Sequence, residues 1–337
     1  MWNLFGHKDK DAENFKIKDV KPDLDLLNGN CYECDYCEAI HSLIDAQPLS
    51  IIKCDECGSP TFVPYRVKNF WLYLPLGGGG MGSVYKAIHA DNPDWVFAVK
   101  LLPRGKRNDP HLIEFLLKEA EIGKSFGRHP HLISVADYGK SNNEYFAALE
   151  YCDGTRLDQL IDMPDQINQK YVLLWTLQLL SAEQCIYDAG YLYRDMKPQN
   201  IMIDHSKNAR LFDFGLCITI EKSKNNDSDM VDGSPLYMPP ERIVGMEENM
   251  SSEIYSLGMV LFHALTRKTY YSATDAFELA KKHVTSLRTT SVKQKLPIFV
   301  PPLIADVLDK MLARVPAKRY QNFKEVATDI KKVYNKL

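Results

Sequence analysis

Short stretches of alternating apolar and polar residues fill the first half of the chain, and apolar residues recur at helical spacing in the second half. The alternation predicts strands at residues 70–76, 84–90, 95–102, 134–138 and 145–150. One helix, at residues 112–126, falls between the third and fourth of these strands. After residue 153 the spacing predicts helices at residues 169–189, 251–265, 302–312 and 322–334. A sheet-rich part followed by a helical part predicts an α+β protein with two lobes and a cleft between them.

The first 66 residues differ in composition from the rest of the chain. Residues 1–28 alternate lysine with acidic residues and offer few apolar anchors, so we expect a mobile tail or, alternatively, a strap across the next module. Five of the eight cysteines then fall within residues 31–57. We therefore expect a tail at 1–28, a cysteine-rich module at 29–66 and one large domain at 67–337, with its two lobes at 67–151 and 152–337.

Composition and charge narrow the class of protein. With 337 residues, 45% hydrophobic and 25% charged, the chain is typical of a folded globular protein. A net charge of −3 offers no field that would attract a phosphate backbone, so we expect no nucleic-acid partner. The apolar start of the chain is too short for a signal peptide, and every later apolar run falls well below the ~20 residues of a membrane span. The sequence therefore predicts a soluble, cytoplasmic protein without a membrane partner.

Two Cys-x-x-Cys pairs, Cys34 with Cys37 and Cys54 with Cys57, are separated by sixteen residues. Such pairs place two thiolates toward one ion, and four thiolates complete a closed tetrahedral zinc site. Cys31 complicates the first pair because Cys31 and Cys34 have the same spacing. We favour Cys34 and Cys37 because Cys-Asp-x-Cys then recurs in both pairs, and the choice of Cys31 in place of Cys37 stays open.

The cysteine segment resembles a rubredoxin-like zinc ribbon, a family that often binds nucleic acid or protein. A Zn²⁺ with four protein ligands has no open position for catalysis, so we expect a structural role for it. Six acidic residues against Lys53 and Arg66 give the segment a charge of −4 before any metal binds. This charge repels phosphate, so we expect the ribbon to pack against its neighbour or to bind a protein partner.

The glycine-rich stretch at residues 76–85 places Gly77, Gly79 and Gly82 in the order G-x-G-x-x-G, followed by Val84. The same letters occur in dinucleotide sites and in plain turns, so they carry little alone. A dinucleotide site would continue into a helix, whereas here a strand follows and leads to a second strand that ends in Lys100. This context favours a loop that closes over nucleotide phosphates through its backbone N–H groups.

The helical half of the chain contains a second motif. Residues 193–200 read Tyr-Arg-Asp-Met-Lys-Pro-Gln-Asn, and Asp213-Phe214-Gly215 follows eighteen residues after Asp195. In order and spacing, residues 70–337 resemble the eukaryotic-type, bacterial-like serine/threonine protein kinases. Lys197, two residues after Asp195, is similar to the serine/threonine class rather than to tyrosine kinases.

The resemblance implies a bilobal kinase fold and a role for each motif residue. Lys100, paired with Glu119, would hold the α- and β-phosphates of ATP, and Asp195 would act as the base. Lys197 would steady the γ-phosphate, while Asn200 and Asp213 would hold Mg²⁺. The nucleotide would contact Gly77, Gly79, Gly82, Val84, Ala98, Lys100, Glu150, Cys152, Asn200 and Asp213, with Leu149 at the gatekeeper position. The implied function is ATP-dependent phosphorylation of protein serine and threonine hydroxyls, with autophosphorylation.

The segment Asp232 to Glu241 is similar to the one that seats a peptide substrate in this family, and Glu241 would pair with Arg319. This segment disfavours a small-molecule phosphotransferase, and the intact catalytic residues disfavour a pseudokinase that acts as a scaffold. Two positions depart from the family: Tyr193 replaces the usual histidine, and Glu253 replaces an aspartate that accepts hydrogen bonds from the catalytic loop.

The sequence carries fewer signals for regulation and for substrate selection. Arg194 precedes Asp195, an arrangement that in this family often accompanies phosphorylation of the following loop, where Ser223 and Ser228 are candidates. Both serines could equally be ordinary loop residues. Arg156 and Gln199 stand at positions that are often acidic in relatives that select arginine, so we expect no strong selection for arginine before the target residue.

Overall fold

The structure is a computed structural model that describes residues 17–79, 82–163, 167–224, 233–285, 292–297 and 300–337. The chain forms two compact units. The first contains the described residues up to Lys124 together with 135–151, and the second contains 125–134 and the described residues from Cys152 onward. The first unit is built on β-sheets and the second is mainly helical, so the predicted α+β order of elements is confirmed.

The first unit begins with a short helix and two β-hairpins, which together we call the ribbon (residues 24–62). Its elements are α1 Leu24–Asn28, β1 Cys31–Glu33, β2 Ile40–Ser42, β3 Ile51–Lys53 and β4 Pro60–Phe62. Strands β1 and β2 form one antiparallel hairpin, and β3 and β4 form the other. Each hairpin connection carries one Cys-x-x-Cys pair, so the fold brings the two pairs to equivalent places.

A six-stranded antiparallel sheet follows, in the order β5-β6-β7-β8-β10-β9. Its strands are β5 Tyr65–Val67, β6 Phe70–Gly79, β7 Gly82–His89, β8 Asn92–Leu101, β9 Val135–Ser141 and β10 Glu144–Glu150, and helix α2 spans Pro110–Ser125. Leu116 and Ala120 of α2 pack against Ala147 on one face of the sheet. Lys100 pairs directly with Ala147, so its side chain stands on the face that α2 covers.

The ribbon packs on this sheet instead of standing apart from it. Leu27 of α1 is 1% exposed and lies in one apolar cluster with Tyr32, Trp71, Tyr73 and Ile88. Strand β5, which contains the expected boundary at residue 66, pairs with β6. The expected boundary therefore falls inside the sheet, and the ribbon and the sheet share a core.

The described part of the expected tail, residues 17–28, is ordered against the same unit. Asp23 caps α1 by accepting hydrogen bonds from the amides of Asp25 and Leu26, which starts the helix. Ahead of it, Asp19 Oδ2 lies 2.7 Å from Lys86 Nζ, and Lys18 Nζ donates to the carbonyl oxygen of Asp35 at 3.1 Å. These contacts correspond to the strap, the alternative expectation for this segment, with Leu27 as its apolar anchor. Residues 1–16 lie outside the described part.

The second unit is organised around α6, in which almost every side chain is buried. Helices α4 and α9 pack against α6, and α10 packs against both α4 and α9. The helices are α3 Leu157–Asp162, α4 Gln169–Asp188, α5 Pro240–Ile243, α6 Met250–Thr266, α7 Ala276–Thr285, α8 Val292–Lys295, α9 Pro302–Met311 and α10 Phe323–Tyr334. The four predicted helices of this half, at α4, α6, α9 and α10, end within one residue of their predicted limits.

Short strands in the second unit hold the two loops that carry the motif residues. These strands are β11 Gly154–Arg156, β12 Tyr191–Leu192, β13 Ile201–Asp204, β14 Ala209–Leu211 and β15 Ile218–Thr219. Strand β12 pairs with β15, and β13 pairs with β14. Residues 193–200 therefore connect β12 to β13, and residues 212–217 connect β14 to β15, so that the pairing fixes both ends of each loop. Within the described ranges, no helix has the length and apolar character needed to cross a lipid bilayer.

Candidate active site and metal centre

The four predicted metal ligands, Cys34, Cys37, Cys54 and Cys57, lie together, with their Sγ atoms within 4.8 Å of one another. Two of the Sγ–Sγ distances, Cys34 to Cys57 and Cys37 to Cys54, are both 3.7 Å. Thiolates at about 2.3 Å from one tetrahedral ion lie about 3.8 Å apart, so the observed spacing fits zinc. Cys31 is outside this cluster, and its Sγ lies 3.7 Å from the carbonyl oxygen of Gly29.

The two cysteine pairs have matching backbone geometry. The amide of Glu38 donates to the carbonyl oxygen of Cys34 at 3.0 Å, and the amide of Gly58 donates to that of Cys54 at 2.8 Å. Both Glu38 and Gly58 have positive φ, at 62° and 72°. The second turn takes the glycine that this conformation favours, and the first accepts a glutamate in its place.

Polar neighbours favour the thiolate form of Cys34 and Cys57, whereas the hydrogen bonds among the cysteines raise the pKa of Cys37 to about 12. Burial raises the pKa of Cys34, but hydrogen bonds from Thr61 and from backbone amides outweigh it and hold that pKa below its usual value. The Thr61 hydroxyl lies 3.3 Å from Cys34 Sγ, and His41 Nε2 lies 3.3 Å from Cys54 Sγ. Hydrogen bonds from Ser59 lower the pKa of Cys57 to about 6. Thiolates are the form that binds zinc, so these neighbours suit a metal centre.

The glycine-rich turn joins β6 to β7 in the first unit. Gly77 pairs with Val84 and Gly79 pairs with Gly82 across the hairpin. Gly82 has φ +148°, and a Cβ atom there would lie 2.4 Å from the carbonyl oxygen of Leu101. Only glycine fits this approach, so the third glycine of the motif has a packing reason as well as a conformational one.

Lys100 and Glu119 form the ion pair that the resemblance implies. Lys100 Nζ lies 2.6 Å from Glu119 Oε2, and both side chains are largely shielded from solvent. Lys100 is the last residue but one of strand β8 and Glu119 lies on α2, so the ion pair links the helix to the strand. Val84 and Ala98 neighbour Lys100 on the same face of the sheet, because Val84 pairs with Lys100 and Ala98 lies two residues before it.

The remaining nucleotide-contact positions lie at the end of strand β10 and just beyond it. Leu149 pairs with Ala98, and Glu150 is the last residue of the strand. Cys152 begins the second stretch of the chain that belongs to the second unit, and it is buried.

Asp195, Lys197 and Asn200 converge in residues 193–200 of the second unit, the loop between β12 and β13 that we call the catalytic loop. Lys197 Nζ lies 2.7 Å from Asp195 Oδ2, and Asn200 Nδ2 donates to the same oxygen at 2.7 Å. Asn200 Nδ2 also lies 3.1 Å from the carbonyl oxygen of Asp195. Asp195 is 6% exposed and Asn200 is 4% exposed, so the carboxylate is held in one orientation by two donors on a single oxygen.

Asp213 lies on a loop that is hydrogen-bonded to the catalytic loop. The amide of Phe212 donates to the carbonyl oxygen of Asn200 at 3.1 Å. Asp213 has φ +67°, a conformation that is uncommon outside glycine and concentrated at functional sites. The carboxylate of Asp213 and the amide oxygen of Asn200 are hard oxygen donors of the kind that Mg²⁺ prefers.

The two departures from the family have separate partners. Both carboxylate oxygens of Glu253 accept from the amide of Arg194, at 3.1 and 3.2 Å, as expected for the acidic residue at this position. The hydroxyl of Tyr193 donates to the carbonyl oxygen of Phe212 at 2.6 Å. Glu253 thus fixes the start of the catalytic loop, and Tyr193 ties that loop to the segment that carries Asp213.

The predicted pair between Glu241 and Arg319 is present and fully buried. Arg319 donates to both carboxylate oxygens of Glu241, at 2.6 and 2.8 Å. The hydroxyl of Ser252 adds a third hydrogen bond to this carboxylate, at 2.6 Å. The pair joins the end of the peptide-seating segment to the last part of the helical unit.

Two further groups of buried charge were not predicted from the sequence. Glu183 of α4 is buried near Glu253, and burial together with the Glu253 charge raises its pKa well above the usual value. Burial also raises the pKa of Glu253, to about 7. Glu248 is buried between Arg194 and Arg242. Sequence alone gave no signal for Glu248, because it follows the similar but exposed Glu247 in a polar stretch.

The candidate phosphorylation sites have different outcomes. Ser223 is 0% exposed, and its Oγ lies 2.7 Å from the carbonyl oxygen of Ile220 and 3.0 Å from that of Glu248. A kinase could not reach this hydroxyl without unfolding the segment. Ser228 and Asp232 lie outside the described residues.

Comparison with known proteins agrees with this geometry. Residues 72–332 match the family model described as protein kinase domain. The chain is 32% identical over 262 residues to serine/threonine-protein kinase PrkC of Bacillus subtilis, which covers 77% of this chain and 40% of PrkC. It is 31% identical over 269 residues to PknH of Mycobacterium bovis (80% and 43%) and 30% identical over 252 residues to PknA of Mycobacterium tuberculosis (73% and 57%). The chain thus spans between 40% and 57% of the length of these relatives.

Proposed function

Because this chain belongs to the protein kinase family, we propose that it transfers the γ-phosphoryl group of ATP to serine and threonine hydroxyls of proteins, itself included. The printed names of its relatives, all serine/threonine-protein kinases, support this class of substrate. The observation that carries the proposal is the arrangement around Asp195, in which two donors hold one carboxylate oxygen.

The residues of the catalytic loop then have distinct tasks. Lys197 and Asn200 both bind Oδ2 of Asp195, so we assign Oδ1 as the oxygen that accepts the proton of the substrate hydroxyl. As that proton leaves, the hydroxyl oxygen bonds to the γ-phosphorus, and the bond from phosphorus to the bridging oxygen breaks to release ADP. Lys197 lies beside the acceptor carboxylate and would offset the charge of the moving phosphoryl group.

The nucleotide is held by two further sets of side chains. We propose that Lys100, oriented by Glu119, binds the α- and β-phosphates, and that the amides of the glycine-rich turn bind the phosphates above it. Asp213 and Asn200 would hold Mg²⁺, which neutralises phosphate charge when it is bound. Most of the catalytic effect is then positioning and electrostatic stabilisation, which the fixed orientations of Lys100 and Asp195 suit.

Phosphate transfer from radiolabelled ATP tests the proposal. Asp195→Asn keeps the shape of the side chain and removes the proton acceptor, so we expect it to lower kcat by about 100-fold or more for both autophosphorylation and casein. Asp188→Asn, an exposed position on α4, is the matched control and should keep wild-type activity. Wild-type protein that binds ATP without transferring phosphate would instead support a scaffold role.

For the ribbon we propose a single structural Zn²⁺ held by Cys34, Cys37, Cys54 and Cys57. The matched thiol spacing supports this assignment, and a site closed by four protein ligands leaves no position for a substrate. Metal analysis of the purified protein by mass spectrometry should find one zinc per chain, which Cys57→Ser loses and Cys31→Ser keeps. Zinc retained in Cys57→Ser would contradict the assignment.

A protein partner is the second role that the ribbon surface favours. Ile40 and Ile44 are 61% and 76% exposed, although apolar side chains of this size are usually covered. If a partner protein covers them, Ile44→Glu should abolish its binding without changing the zinc content. A partner that binds Ile44→Glu unchanged would contradict the role.

A further inference from the structure

Glu248 is a buried carboxylate that two arginines share. It is 1% exposed; Arg194 Nη2 lies 2.9 Å from its Oε1, and Arg242 Nε donates to its Oε2 at 2.6 Å. Arg242 is itself buried and donates through Nη1 to the carbonyl oxygen of Arg194 at 2.6 Å. Glu248 therefore holds the residue before Asp195 both directly and through a second arginine.

The backbone of Glu248 binds a different segment. Its amide donates to the carbonyl oxygen of Ser223 at 3.2 Å, and its own carbonyl oxygen lies 3.0 Å from the Ser223 hydroxyl. Ser223 lies in the stretch between Asp213 and Glu241, whose order decides whether a peptide can be seated. One residue therefore connects this stretch, the catalytic loop and helix α5, which carries Arg242.

The charges of this cluster explain why a carboxylate is needed there. Arg194 and Arg242 place two cations side by side in a buried region, and each lowers the stability of the other's charge. A phosphate added to a loop is one source of the negative charge that orders such arginines. Glu248 places a permanent negative charge on the same guanidinium groups.

We propose that Glu248 is a positioning residue that takes the place of a loop phosphate, so that the catalytic loop is held in its working arrangement without phosphorylation of residues 213–241. The inference rests on the proposed kinase function. It assigns regulation to that site: activity of this chain does not wait for a phosphate on its own loop. The alternative is that a phosphate on residues 225–232 binds the same arginines and Glu248 only fills the space between them.

Kinetic measurements on phosphatase-treated protein distinguish the proposal from this alternative. We expect wild-type protein freed of phosphate to keep kcat within about two-fold, and Glu248→Gln to lose about 100-fold in kcat with little change in KM for ATP, because the loop carrying Asp195 is misplaced while ATP binding is not. Glu248→Asp, which keeps the charge, should fall between them. The matched control is Glu247→Gln, since Glu247 is the exposed neighbour.

Two results would overturn the proposal. One is a wild-type protein that loses its activity on phosphatase treatment and regains it with ATP, which would assign the role to a phosphate. The other is a Glu248→Gln protein that keeps the wild-type kcat.

Hydrogen exchange measured by mass spectrometry provides a readout that does not depend on activity. In Glu248→Gln the peptide containing residues 191–200 should exchange faster than in Glu247→Gln, while the peptide containing Arg319 should not change. Equal exchange of residues 191–200 in both variants would contradict the positioning role. If the wild-type protein transferred no phosphate, the proposed function would fail, and this measurement would still decide whether Glu248 holds the loop.

Discussion

Two buried carboxylates in the helical unit bind arginine in different ways. Glu241 has a single guanidinium partner, Arg319, and every nitrogen of that guanidinium donates: Nε to Ala313, Nη1 to Glu241 and Ser251, and Nη2 to Glu241 and Arg314. Glu248 is shared by two arginines. In the part of the chain that the structure describes, Arg194 Nε and Arg242 Nη2 have no hydrogen-bond partner.

The comparison shows that a buried ion pair between glutamate and arginine can have two different roles. In the pair of Glu241 and Arg319 every guanidinium nitrogen already has an acceptor, so the pair holds its two segments in one arrangement. Glu248 instead offsets the charge of two arginines, and each arginine keeps a nitrogen without an acceptor among the described residues. A substitution of Glu248 therefore leaves two buried cations without their anion. The catalytic loop is held by the shared carboxylate of Glu248, whereas the last part of the helical unit is held by the pair of Glu241 and Arg319.

The largest effect should come from breaking the pair of Glu241 and Arg319. Arg319→Met leaves the Glu241 charge buried without its partner, so we expect the free energy of unfolding to fall by about 3–5 kcal/mol. Urea denaturation measures this directly. Lys318→Met removes an exposed cation one residue away and serves as the control. A loss below that range would mean that the pair is less buried in solution than its geometry indicates.

The anchor of the catalytic loop should respond to a smaller change. Glu253→Asp shortens the side chain by one methylene, which stretches its two hydrogen bonds to the amide of Arg194 or leaves a void. We expect it to lower the free energy of unfolding by about 1 kcal/mol or more, although aspartate is the usual residue in the family. Equal denaturation curves for the two proteins would show that the longer side chain is an accident of sequence.

The pH dependence tests the buried acids beside the shared carboxylate. Burial raises the pKa of Glu253 from 4.5 to about 7, and burial together with the Glu253 charge raises that of Glu183 well above its usual value. Above the unfolded value the native state then binds more protons than the unfolded state, so these groups lower stability as pH rises toward their native pKa values. Glu183→Gln cannot ionise, so its free energy of unfolding should fall less than that of wild type between about pH 5 and about pH 8. A fall parallel to that of wild type would contradict this account.

The smallest effect should come from a pair near the surface. Arg156 donates to both carboxylate oxygens of Asp158, at 2.9 and 2.7 Å, but both side chains are partly exposed. Arg156→Ala should therefore change the free energy of unfolding by about 1 kcal/mol or less in a urea titration. A loss as large as that of Arg319→Met would show that two hydrogen bonds to a carboxylate, and not burial, decide the stability of such pairs.

The pair of Arg156 and Asp158 also bears on the predicted lack of selection for arginine in the substrate. The Arg156 charge is offset by Asp158, so it repels an arginine on a peptide less than a single cation would. We still expect no strong selection for arginine before the target residue, and a peptide array dominated by arginine there would contradict it.

The motif residues and main elements could be predicted because their signals are local. Asp195, Lys197 and Asn200 lie within six residues of one another, and helices such as α6 follow from regular apolar spacing. Glu248 and Arg242 meet Arg194 only through the tertiary fold, since they lie 54 and 48 residues away from it in sequence. No periodicity distinguishes a buried Glu248 from an exposed Glu247, so this part of the site required the structure.

The contacts around the predicted domain limits could not be read from the sequence for a related reason. The acidic and basic residues of 17–28 indicated a solvated tail, whereas two or three apolar side chains and a capped turn suffice to hold this stretch against a surface already present. Likewise β5 is three residues long, too short to reveal by alternation that it belongs to the sheet and not to the ribbon.

Strand β5 also determines what would follow from cutting the ribbon away. A fragment that begins after Val67 would turn β6 into the outermost strand, with unpaired backbone groups along its first residues and with Trp71 and Tyr73 stripped of Leu27 and Tyr32. Exposed strand edges with large aromatic side chains pair with other chains and precipitate. The ribbon covers these aromatic side chains, so we expect a fragment that begins after Val67 to be less soluble than the full chain.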